Sequence, residues 1–183
     1  MTRSNCADCD TVKWPSAPKD LLGPEIALGS YETGIRALVP GHALVVERWL
    51  KQGRVSLLIE LDLDEARRAC HEVVSWERGT SELLANPAQR AHVQAQLAWA
   101  AAILQRLGES TNSAIISGHL ASVDLPPVPL LYHTDTVSAL RALLGLRYDQ
   151  VAADGSALTL TNVVDLTLAA LNDASGTIVP PDA

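Results

Sequence analysis

The sequence predicts a mostly α-helical protein, an irregular bundle of about five to six helices around a central alanine-rich helix. Three observations carry that reading. The first is a helix signature opening at Asn86-Pro87, an N-cap followed by proline at the first helical position, with Gln89 placed to complete a capping box. Val93, Leu97, Ala100, Leu104 and Leu107 then recur at alternating spacings of four and three until Gly108 stops the pattern. Ala95, Ala98, Ala101 and Ala102 extend this stripe into an almost all-round apolar surface, the composition of a helix at the centre of a bundle.

The second observation is Asp62, three residues before Glu65, which opens a helix whose Leu63, Ala66, Cys70, Val73 and Val74 share one face up to Gly79. The third is bulk composition. Of 183 residues, 48% are apolar and 19% charged, enough to close a core and too apolar for a disordered chain. The length suits one globular unit, expected over 21–174, between a polar arm at 1–20 broken by Pro15 and Pro18 and a tail at 175–183 carrying Gly176, Pro180 and Pro181.

The remaining elements follow in order. Pro24–Val39 has a weak helical pattern interrupted by Gly29 and Gly34, and Pro40 sets a boundary. Pro40–Gln52 reads as a helix with Leu44, Val45 and Trp49 inward, closed by Gly53 in the place of a left-handed cap. Val55–Leu61 reads equally as a short buried strand or as the lead-in to the next helix. Ser113–Val123 is a short helix or an extended segment, and Pro126, Pro127 and Pro129 make the following run a stiff crossover. That leaves Tyr132-His133-Thr134-Asp135 in a loop, with Asp135 capping a helix over Thr136–Leu146. Asp154-Gly155 marks a tight turn joining strands Tyr148–Val151 and Ala157–Leu160, so a short β-hairpin is expected near 148–160. Asn162, with Asp165 at N3, opens a last helix over Val163–Leu171.

The run from Val137 through ALRALLGLRYDQVAADGSALTLTNVVDLTLAAL resembles an acyl carrier domain in its helix–LGL–loop–VVDL rhythm, over about a fifth of the chain. Where that family places the serine that takes the phosphopantetheine arm, this sequence has Leu160, flanked by Thr159 and Thr161. The resemblance therefore implies two amphipathic helices with a common loop, and no carrier function.

Charge excludes one class of partner. With 14 Lys+Arg against 21 Asp+Glu the net charge is −7, whereas nucleic-acid binding needs clustered cations facing phosphates. Arg67-Arg68 lies beside Asp62, Asp64 and Glu65 and reads as a solvated helix face with local pairs. The start MTRSNCADCDTVKWP lacks the apolar core of a secretory signal, and the longest apolar stretch, Leu97–Leu104, falls far short of a bilayer span, so no membrane partner and a cytoplasmic location are expected.

Three cysteines, Cys6, Cys9 and Cys70, are too few for a disulfide scaffold. Cys6-x-x-Cys9 with Cys70-His71 supplies zinc-type ligands, but adjacent helical residues diverge by about 100° and Cys70 lies on an apolar face. The expectation is two free thiols and a core cysteine, with no metal and no cofactor. Neither HExxH, G-x-S-x-G, G-x-G-x-x-G nor a P-loop occurs.

Two functional readings remain, with a third compatible with both. A helical small-molecule-binding or accessory protein would hold a hydrophobic ligand in an apolar pocket lined by Trp49, Trp76, Trp99, Tyr132 and His119. A cofactor-independent cyclase, isomerase or lyase would use His133, Asp135 and His92 as positioned acid–base groups on a hydrophobic substrate. An apolar helical face could in either case form a homodimer.

Overall fold

The computed structural model describes residues 23–37, 44–79, 87–123, 125 and 127–173. They form eight helices and no strand. In order these are α1 (Pro24–Ala37), α2 (Leu44–Leu61), α3 (Leu63–Gly79), α4 (Pro87–Arg106), α5 (Ser110–Leu120), α6 (Pro127–Leu144), α7 (Arg147–Ser156) and α8 (Leu160–Asp173). The expected arm, the tail, Cys6, Cys9 and the Pro40 boundary lie outside the described residues.

α4 is the centre of the bundle, as its alanines predict. Every residue from Ala95 to Leu104 is buried, because α2, α3, α5, α6 and α8 all pack on it. Small side chains permit that many neighbours at close range. Gly108, at φ 87°, then turns the chain into α5, where Ser113 Oγ donates a 2.7 Å bond back to the Ala101 carbonyl. A second, smaller core of Ala114, Leu140, Tyr148 and Val151 joins α5, α6 and α7.

The helix count rises to eight for local reasons. Val55–Leu61 is the C-terminal half of α2, since Val55, Leu57, Leu58 and Ile59 are buried without a break in the helix. Gly53 is correspondingly no cap. It lies inside α2, where a Cβ would overlap the Tyr31 ring of α1, so glycine here serves the crossing of two helices. Asp62 makes the corner between α2 and α3: its N–H donates to the Leu58 carbonyl while its Oδ1 accepts the Glu65 N–H at 2.9 Å.

The expected hairpin over 148–160 is helix α7 followed by a short turn. Gly155 is buried against the Ile115 carbonyl of α5, and Gly118 of α5 against the Ala152 carbonyl of α7, so the Asp-Gly pair marks a helix crossing. The prolines at 127 and 129 open α6 instead of preventing it. Both fall in the first turn, where backbone N–H groups have no intrahelical acceptor to lose. Tyr132, His133 and Asp135 are therefore helical residues, and Asp135 is not a cap. α8 begins three residues earlier than expected because Thr159, whose Oγ1 accepts the Asn162 N–H at 3.2 Å, is its N-terminal cap.

Candidate functional site

Of the residues proposed for acid–base chemistry, His133 and Asp135 do not share a helix face. His133 and Asp135 are two positions apart on α6, and a helix sends such residues to nearly opposite sides. His133 is buried and Asp135 exposed. His92 is half-buried on α4. The expected pocket residues come from five helices, α2 to α6. Trp99 packs in the main core and Tyr132 against its edge, with the Tyr132 hydroxyl donating a 3.3 Å bond to the Ser56 carbonyl. His119 on α5 places Nδ1 3.1 Å from the Leu158 carbonyl. Trp49 lies in α2, and the ring of Trp76 on α3 has Lys51 Nζ above it, 5.9 Å from the centroid.

A cleft of about 280 Å3 opens elsewhere, between α1, α2 and α3. From α1 come Glu32, Ile35 and Arg36, at the i, i+3, i+4 spacing that puts three side chains on one helix face. α2 contributes Lys51 and Arg54, again three apart. The floor belongs to α3, where Ala69 and Val73 are buried and Glu72 stands at the rim. None of Trp76, Trp99, Tyr132 or His119 lines it.

Ion pairs fix the α2 cations in place. Lys51 Nζ lies 3.1 Å from both Glu47 and Glu72, and these two carboxylates outweigh the partial burial of the amine, so its pKa is raised. Arg54 donates a 2.6 Å bond to Glu65, itself 2.6 Å from Arg68, and stands 3.8 Å from Glu32. Such pairs are worth little individually at a surface; their role here is to hold two cations against an apolar floor. Arg68 thus behaves as the local partner that the sequence predicts.

The chain matches no protein-family model, no curated protein and no solved structure.

Among the described residues, no group of three or more His, Cys, Asp or Glu side chains could hold a metal ion. Cys70 is fully buried, and the loss of water pushes its thiol up to about 12, so it is protonated at neutral pH and packs as a small apolar residue. No described helix is long and apolar enough to cross a membrane.

The two α5 and α6 histidines carry a different consequence. Burial lowers the pKa of His133, and it lowers that of His119 by more than the bond to the Leu158 carbonyl restores. Both thus bind protons less readily folded than unfolded, where a histidine titrates near about 6.5. Stability should be constant above that pH and fall as pH drops from there towards the folded-state values, because the unfolded chain takes up more protons in that window. Urea titrations at pH 7.5 and 5.5 test this: the loss on acidification should be smaller in His133→Gln and smaller again in the double variant with His119→Gln, and an equal loss in all three proteins would assign it to other groups.

Proposed function

We propose that the protein binds a small molecule in the cleft between α1, α2 and α3. The observation that carries this reading is the cleft itself, an apolar floor of Ala69 and Val73 beneath a rim of positioned charges. Its volume lies near the lower end of the range for ligand pockets, roughly 300–1,000 Å3, which suits a metabolite-sized ligand. Charged groups at the rim and an apolar floor together orient such a ligand. A catalytic reading draws less support, since His133, Asp135 and His92 do not line the cleft.

Native mass spectrometry of gently purified protein should show an organic adduct that is lost on denaturation. Ile35→Trp should reduce that adduct by about tenfold or more, because it narrows the cleft from the side of α1, where Ile35 is only half-buried. An adduct that survives this substitution would place binding elsewhere.

A homodimer is favoured by a separate observation. Leu131 and Leu143 on α6 and Leu146 at the corner before α7 are 61%, 64% and 94% exposed, and side chains of this kind are what a second copy would cover. Sedimentation at increasing concentration should reveal association that Leu146→Asp weakens by about tenfold or more. A monomer at all concentrations would end that reading.

A further inference from the structure

The charge distribution of the cleft says more than that a ligand fits. Its lining holds three cations, Arg36, Lys51 and Arg54, against two carboxylates, Glu32 and Glu72. The α2 cations are committed: Lys51 to Glu47 and Glu72, Arg54 to Glu65. Glu72 is in turn neutralised by Lys51 at 3.1 Å, and Glu32 faces Arg54 at 3.8 Å. Arg36 differs from all of these. It makes no ion pair among the described residues, and its Nε is anchored by a 3.3 Å bond to the Glu32 carbonyl of its own helix. A guanidinium tied at one nitrogen to backbone retains its two terminal nitrogens for an oxyanion, the geometry that suits a carboxylate.

We propose that this cleft selects an amphipathic carboxylate, with Arg36 receiving the anionic head and Ile35, Ala69 and Val73 receiving the apolar body. The inference rests on the reading of the cleft as a ligand site and adds the class of ligand. Depth supports it: Arg36 is exposed while Ala69 and Val73 are buried, so charge lies at the mouth and apolar surface below. Arg54 stays bonded to Glu65 at 2.6 Å and beside Glu32 at 3.8 Å, which leaves Arg36 as the guanidinium that meets the head group. A cationic ligand finds no equivalent, because both carboxylates of the lining already face cations.

Three probes with one tail separate charge from hydrophobicity: octanoate, octan-1-ol and octylammonium, titrated into the full chain while backbone amide NMR shifts are followed. Octanoate should bind at least tenfold more tightly than the other two, with shifts concentrated on the facing turns of α1, α2 and α3. Arg36→Ala should abolish that preference and Arg36→Lys restore part of it, while Arg147→Ala, on α7, leaves it intact. If octan-1-ol or octylammonium binds the cleft as tightly as octanoate, the charge inference is overturned and the ligand site stands. If none of the three shifts the cleft amides, the reading of the cleft as a ligand site falls with it.

Discussion

Gly118→Ala and Gly155→Ala should each destabilise the protein by about 2–3 kcal/mol, the reverse of what alanine does in an ordinary helix. The two glycines sit where α5 and α7 cross, and each faces the other helix's backbone: a Cβ on Gly118 would overlap the Ala152 carbonyl, and one on Gly155 the Ile115 carbonyl. Backbone cannot swing aside as a long side chain can, so the helices must separate. Separation opens the packing of Ala114, Tyr148 and Val151 and stretches the link from His119 to the Leu158 carbonyl. The gain in helix propensity, about 1 kcal/mol, is too small to offset that loss.

Gly29→Ala is the internal comparison. Gly29 lies within α1, with no atom within 4 Å of the place a Cβ would take and no positive φ, so the same substitution should stabilise by up to about 1 kcal/mol. Urea midpoints for the three variants measure both signs. The double variant should cost less than the sum of its parts, since the first methyl already forces the helices apart. Stability unchanged in both crossing variants would mean that α5 and α7 are not held so closely.

The same glycines explain how far the fold is legible in the sequence. α3 and α4 can be read because their signals are local: a cap, a first-turn proline, apolar residues at helical spacing and a terminal glycine. Where a glycine or proline has two physical uses, local reading favours the commoner one. Gly108 does adopt positive φ and end its helix, and Gly145, inside the helix expected over Thr136–Leu146, does the same and closes α6 at Leu144; Gly53 and Gly155 serve close crossings, and what they meet is distant in sequence. Pro127 and Pro129 likewise read as breakers, because the start of α6 is not otherwise marked.

The cleft is illegible for a related reason. Lys51 and Arg54, or Glu32 and Arg36, each look like the solvated face of a helix, and only the convergence of three helices gives them a shared apolar floor. One signal is available. Glu32, Ile35 and Arg36 and then Ala69, Glu72 and Val73 repeat the i, i+3, i+4 spacing with mixed charge and apolar character, the pattern of a rim beside a floor. The histidines and tryptophans, by contrast, stand out by residue type alone, and none of the described ones lines the cleft.

Gln96→Met should raise stability by about 1–3 kcal/mol, although it removes a polar group from the middle of the central helix. Gln96 is fully buried on α4, and neither its amide nitrogen nor its amide oxygen has a hydrogen-bond partner. A buried amide without partners retains the full cost of leaving water, whereas an unbranched thioether of similar size fills the same space at no such cost. Removing the volume as well gives the opposite sign: Gln96→Ala should destabilise despite alanine's helix propensity, because Leu97, Trp99 and their neighbours around α4 cannot collapse into the gap. Comparing the two variants therefore separates polarity from volume at one position. A lower urea midpoint for Gln96→Met would show that the amide is bonded in solution, and hence that this core is organised around a polar contact.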